Sequence, residues 1–231
     1  MIADFVPCSM IDYPGELAAV FFTQGCNLRC RYCHNPELCK KKGEKSISLD
    51  SAFAFLEKRT GKLGAVVLSG GEPTLHKELS IFLKTAGTLG YKTKLDTNGT
   101  NPDVVQKLID QNLLNFVAVD FKMAPDENSK YLVGIENQAE KAIDVLSRLT
   151  TAGVECEART TVLSGFHNTV NLKLMVSVLS SIGVNNWAIQ PVRNNKVLDE
   201  SCLWLPPDNS VLEDVIEYAR SKGIEATLRT T

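Results

Sequence analysis

The sequence of 231 residues predicts an α/β fold, an incomplete (β/α)6 barrel of the TIM type in a single domain. Three observations carry that expectation. Short apolar runs alternate about six times with longer amphipathic ones, the pattern of parallel strands joined by crossover helices. Helical runs stop at glycines, at Gly153 and Gly183, the residue suited to a helix C-terminus. Nearly every group of unusual residues falls just after a strand. In a β/α barrel those ends converge on one face, whereas in a doubly wound sheet only the ends at the switch point do. Six units fall short of the eight that close a barrel, so the sheet is expected to be open, with room for a large substrate.

The elements follow in order. Residues 18–23 (AAVFFT) read as a buried strand and 51–60 as a helix capped by Asp50 or Ser51. Residues 64–68 (GAVVL) are a second strand and 77–89 a helix; 92–95 are a third strand, and 102–112 a helix with Pro102 in its first turn. Residues 116–119 (FVAV), 154–162 and 186–190 (NWAIQ) are further strands, and 138–152, 170–182 and 208–222 are helices. A short final strand covers 224–228. No repeat or linker interrupts the rhythm, so one domain over 1–231 is expected, with a cysteine loop at 24–40 and a partial barrel at 18–228. Lys40-Lys41-Lys42 reads as a solvated surface loop.

A formal net charge of −2 leaves no basic surplus to neutralise phosphates, so no nucleic-acid partner is expected. No apolar run is long enough to span a membrane. The N-terminus (MIADF) lacks the basic start and apolar stretch of a secretion signal, and a cytoplasmic address follows as the expectation.

Seven cysteines stand at 8, 26, 30, 33, 39, 156 and 202. The odd count and the absence of a secretion signal argue against a disulfide framework. Cys26, Cys30 and Cys33 have the spacing C-x3-C-x2-C. Three thiolates so close in sequence can wrap one four-iron cubane and leave one iron without a protein ligand. An electron-transfer ferredoxin usually closes all four positions; an open position can bind substrate. The competing reading is a structural zinc site completed by Cys39 or His34. Cys39 as a fourth cluster ligand would block the open iron, so it reads as incidental, and Cys8, Cys156 and Cys202 as packing residues.

Each strand-end group has a plain reading and a functional one. Gly70 and Gly71, in SGGEP, make a strand-to-helix turn or let backbone approach a ligand; Pro73 stiffens the exit. Asp96 and Asn98, in DTNG, are turn formers, and Asp120 with Lys122 could be a surface pair. Arg159, in an otherwise apolar strand, is a snorkelling edge residue or a bidentate carboxylate ligand. His76 and His167 read as surface residues.

C-x3-C-x2-C with an aromatic, Tyr32, just before the third cysteine resembles the signature of the radical S-adenosylmethionine (SAM) superfamily. SGGEP resembles that superfamily's GGEP motif, and DTNG with D-x-K resembles the glycyl-radical enzyme activating enzymes. Four strings are similar to the anaerobic ribonucleoside-triphosphate reductase activating proteins: Ser9 to Gly15 (SMIDYPG), GCNLRCRYCHNPEL, LSGGEPTL and KLDTNGT. The DFK string at 120–122 is near that family's D-x-K, and with it the matches run from Ser9 to Lys122; beyond that only the strand–helix rhythm matches.

The resemblance implies a barrel of the radical SAM type and a [4Fe–4S] cluster on Cys26, Cys30 and Cys33 with one open iron that chelates SAM. It implies that an electron breaks the S–C5′ bond and that the resulting 5′-deoxyadenosyl radical takes a hydrogen from a glycine Cα of a partner protein. Tyr32 and the His34 backbone would lie by the adenine. Gly70, Gly71 and the Glu72 region would receive the SAM amino group, and Asp96, Asn98, Asp120 and Lys122 would serve its ribose and carboxylate, with Arg159 and Arg193 as further contacts. In the pyruvate formate-lyase activators a histidine occupies the region of Arg193, a departure in this chain. The implied partners are the large subunit of the reductase and a flavodoxin- or ferredoxin-type reductant. Activation of another glycyl-radical enzyme, turnover of a small molecule, and a non-enzymatic zinc or electron-transfer module are the alternatives. Asp96 and Asp120 at neighbouring strand ends would repel, so a small cation is expected between them.

Overall fold

The computed structural model describes residues 1–40, 46–125, 129–193 and 197–229; Lys41 and Lys42 of the basic run lie outside them. Eight strands form one sheet in the order β1-β2-β3-β4-β5-β6-β7-β8. They are β1 (Ile2–Ser9), β2 (Ala18–Thr23), β3 (Ala65–Gly70), β4 (Lys92–Thr97), β5 (Phe116–Asp120), β6 (Glu155–Val162), β7 (Asn186–Pro191) and β8 (Glu225–Leu228). The helices are α1 (Leu49–Arg59), α2 (Leu79–Thr88), α3 (Pro102–Asp110), α4 (Ser129–Val133), α5 (Gln138–Ala152), α6 (Thr169–Ser181) and α7 (Asn209–Ser221). The sheet starts at β1 and ends at β8 without closing on itself. The expected open α/β arrangement is therefore present, with β1, α4 and two 3-10 turns added to the elements read from sequence.

Contacts divide the chain into two compact units. Unit 1 comprises Met1–Asn27, Glu37–Thr97 and Asp103–Val117. Its β1 runs antiparallel to β2, with register shifts before and after Asp4–Val6, and β2, β3 and β4 are parallel. Pro7 in β1 removes a backbone donor, which an edge strand tolerates. The core is aromatic: Phe21 stacks on Phe5 with ring centroids 5.4 Å apart and meets Phe82 edge-on at 5.1 Å. Ser48, rather than Asp50 or Ser51, caps α1, accepting from Ser51 N; only a residue just outside the first turn can reach that N–H.

Unit 2 comprises Leu28–Pro36, Asn98–Pro102 and Ala118–Thr231. Its β6, β7 and β8 are parallel. Helix α5 ends where expected, at Gly153 with φ +71°, and Asn168 begins α6 with a capping box on Asn171. Trp187 is buried in this core and donates its indole N–H to Thr160 Oγ1 at 2.9 Å. No helix of the described residues is long and apolar enough to cross a membrane.

Candidate active site

The site begins at the end of β3. Gly70 has φ +116°, and a Cβ on Gly71 would stand 2.1 Å from Gly25 O. The two glycines let the SGGEP turn lie directly on the backbone before the cysteines: Gly71 N donates to Thr23 O at 2.9 Å and Glu72 N to Gly25 O at 2.8 Å. The close approach anticipated for a ligand is thus made first by the protein's own main chain.

Glu72 departs further from expectation. It is fully buried, and its Oε1 accepts from Thr74 N (3.0 Å), Thr74 Oγ1 (2.5 Å) and Thr97 Oγ1 (2.7 Å). With its donors gathered from both sides, the Glu72 side chain acts as a cap and clasp; the backbone of this turn is what can face a ligand.

On β4, Asp96 is buried, with Lys94 Nζ 3.0 Å from Oδ1 and Ser69 Oγ 3.2 Å from Oδ2. Asn98 folds back in an Asx turn, its Oδ1 accepting from Thr100 N and Oγ1. Asp120 ends β5 and pairs with Lys122 Nζ at 3.0 Å and Arg159 at 3.2 Å. The expected cation between Asp96 and Asp120 is corrected by these contacts: each carboxylate is already neutralised by protein cations, which removes the repulsion that called for one. Arg159 is likewise not a lone snorkelling residue.

In unit 2, Cys33 N donates to Cys30 O at 3.0 Å, so these two cysteines share a tight turn. Tyr32 between them is buried, and its hydroxyl has no hydrogen-bond partner in the structure. Lys122 Nζ lies 5.9 Å from the Tyr32 ring centroid. Burial works against the Lys122 charge, but Asp120, Tyr32 and Cys30 outweigh it and hold the ammonium well above its ordinary range. Burial pushes the Tyr32 phenol up as well. His34 Nε2 meets the backbone carbonyl of Arg193 at 2.9 Å, so the residues after the third cysteine and after β7 are joined.

Several residues had no local signal in the sequence. Gln138, fully buried at the start of α5, donates from Nε2 to both Asn98 O and Asp120 O at 2.8 Å, tying the DTNG and D-x-K groups. His167 is buried rather than on the surface; its Nδ1 accepts from Leu163 N and its Nε2 faces Lys122 O. His76 is half-buried against Gln24 O, and burial lowers its pKa. Arg31 pairs with Asp199 at 2.6 Å, sits 4.2 Å over the Tyr131 ring, and has Cys202 Sγ 3.7 Å away. Cys8 is exposed rather than packed, whereas Cys39 and Cys156 are buried.

None of the seven cysteines is in a disulfide. Cys26 belongs to unit 1 and is half-buried; Cys30 and Cys33 belong to unit 2. Among the described residues no three His, Cys, Asp or Glu side chains gather around a single point as ligands for one ion. Thiolates on a cubane bind different irons and need not converge. Their soft donors suit iron–sulfur, and the buried Tyr32 hydroxyl and Lys122 ammonium beside Cys30 offer polar contacts to a bound small molecule. The donor types present are those that a cluster and SAM call for.

The chain belongs to the radical SAM superfamily, whose family model matches residues 20–169. Within it, the chain belongs to the glycyl-radical enzyme activating enzymes. It is 32% identical over 242 residues to a protein assigned by name to that group in Methanocaldococcus jannaschii, across 100% of this chain and 96% of the relative. It is 29% identical over 173 residues to the pyruvate formate-lyase 1-activating enzyme of Escherichia coli K12, covering 71% of this chain and 68% of that one. The fold is similar to that of Streptococcus suis SuiB bound to S-adenosylmethionine, with a TM-score of 0.74 at 15% identity over 92% of this chain. The chain spans 49% of SuiB's length, and the likeness concerns fold alone.

Proposed function

We propose that the chain is an activase that cleaves SAM reductively and generates a glycyl radical on the large subunit of anaerobic ribonucleoside-triphosphate reductase. The observation that carries the reading is the half-buried Lys122 ammonium, which lies over the ring of Tyr32, between Cys30 and Cys33 in sequence, and pairs with Asp120. It joins the cysteine loop to the D-x-K group through one charged side chain.

Cys26, Cys30 and Cys33 would hold a [4Fe–4S] cluster with one open iron, in a single radical SAM domain over 1–231. When bound, cluster and SAM supply the electron transfer and hydrogen abstraction. The chain's own residues bind and orient. Lys122 and Arg159, positioned by Asp120, would face the SAM carboxylate, and Asp96 and Asn98 its ribose. Tyr32, His34 and Arg193 would enclose the adenine side, and the Gly70–Gly71 backbone would receive the amino group. Tyr32, which is buried, would help keep water from the reacting end. A flavodoxin- or ferredoxin-type protein would supply electrons, and the setting would be cytoplasmic.

The SMIDYPG and KLDTNGT strings favour the reductase as partner. The similarity to the pyruvate formate-lyase activator supports a second reading, in which the partner is an enzyme of that type.

Anaerobically reconstituted, reduced protein is expected to turn SAM into 5′-deoxyadenosine and methionine and to raise a glycyl-radical EPR signal on the reductase. Cys30→Ala should lose both cluster and cleavage. No SAM cleavage by cluster-loaded protein would overturn the enzyme reading. Cleavage with an EPR signal only on a pyruvate formate-lyase would move the partner to the second reading.

A further inference from the structure

Lys94 and Asp96 are two residues apart on β4 and so point to the same face of the strand. Their side chains are 5% and 7% exposed, and Nζ stands 3.0 Å from Oδ1. The same ammonium donates to Asp12 O at 2.7 Å and lies 5.6 Å from the Phe116 ring centroid. Asp12 belongs to the loop after β1, where its carboxylate accepts from Ser9 Oγ at 2.5 Å, and the neighbouring Tyr13 ring packs on Phe116. One buried cation therefore ties the SMIDYPG loop to the DTNG group within unit 1.

A buried ion pair is a poor device for stability alone. Taking both charges out of water is costly, and well-packed apolar residues of the same volume often serve a core as well or better. Here the ammonium meets a carboxylate and a carbonyl oxygen and sits by an aromatic face, while Ser69 fixes the second carboxylate oxygen at 3.2 Å. That set of contacts fixes the carboxylate's orientation. It also accounts for two strings more than eighty residues apart, which one contact joins.

We propose that Lys94 is a positioning residue: a built-in counter-ion that keeps Asp96 aimed so that it can receive a hydroxyl of the SAM ribose. In this chain it fills the role that a bound small cation would otherwise have. The inference rests on the reading of Asp96 as a SAM contact.

The test measures SAM binding by equilibrium dialysis with anaerobically reconstituted holoenzyme, so that turnover is not needed. K94A removes the charge and leaves space. It should keep its cluster iron and weaken SAM binding at least about tenfold, the scale of one charge-assisted hydrogen bond. Ethylammonium added to K94A should recover most of that loss, which a merely structural gap would not do. D96N should lose a similar factor without recovery, and K94A/D96N should bind no worse than D96N. Native-like SAM affinity in K94A alongside weakened D96N overturns the role of Lys94 and leaves Asp96 as a ligand. Native-like affinity in D96N overturns the Asp96 reading and this inference with it. If K94A does not fold, K94Q retains donors for Asp12 O and Asp96 without the charge. It should also bind SAM more weakly, and native-like affinity there counts equally against the proposal.

Discussion

Glu72 Oε1 accepts a hydrogen bond from Thr97 Oγ1 at 2.7 Å, so the turn after β3 is clasped to the end of β4 by a carboxylate with no exposed surface. The negative residue of SGGEP thus serves the loop's shape and leaves ligand contact to the backbone. Glu72→Gln keeps the volume but turns an amide donor or a weaker acceptor toward three donors. Urea unfolding of the apoprotein should show a loss of about 1.5–3 kcal/mol. An unchanged midpoint would show that the clasp contributes nothing.

Gly71 and Gly87 should respond oppositely to alanine. A Cβ on Gly71 would stand 2.1 Å from Gly25 O and force the two backbones apart, whereas Gly87, in α2, has nothing within 4 Å. Gly71→Ala should cost about 1–3 kcal/mol or more and impair cluster loading. Gly87→Ala should gain about 0.4–1 kcal/mol through lower entropy of the unfolded chain. Thermal unfolding of the two variants side by side decides.

Tyr32→Phe removes a buried hydroxyl that has no hydrogen-bond partner in the structure. The apoprotein should be as stable as the native chain or up to about 1 kcal/mol more stable, because an unsatisfied buried polar group carries a desolvation penalty. A clear loss of stability would mean that the hydroxyl is satisfied in solution.

Cys156 sets a pH dependence at the alkaline end. Burial, followed by the nearby Glu157 charge, pushes its thiol from 9.0 up to about 11. The folded state holds the proton longer than the unfolded state, so its contribution is complete below pH 9 and is lost as pH rises toward 11. Two units correspond to about 2–3 kcal/mol. The stability of native protein relative to Cys156→Ala should therefore fall across that window. Parallel curves would refute the shift.

The sequence by itself determined the alternation of strands and helices, because burial of one face imposes its period on the residues. It also determined the thiolate chemistry of Cys26, Cys30 and Cys33, which depends on residue type and local spacing, and the glycine ends of helices such as α5. Strand β1 has no regular alternation along its sequence, because Pro7 and two register shifts interrupt it. Only the tertiary structure decided which charges meet. Lys94 carries no local signal until Asp96 and the Asp12 carbonyl surround its ammonium. His167 reads as exposed until Leu163 N and Lys122 O take its two nitrogens. Gln138 carries no signal until two strand ends bring Asn98 O and Asp120 O to its amide. Partners such as Asp12 and Lys94, Lys122 and His167, or Asn98 and Gln138 lie far apart along the chain, and their energies depend on distance and desolvation, quantities that exist only after the strands have been placed side by side.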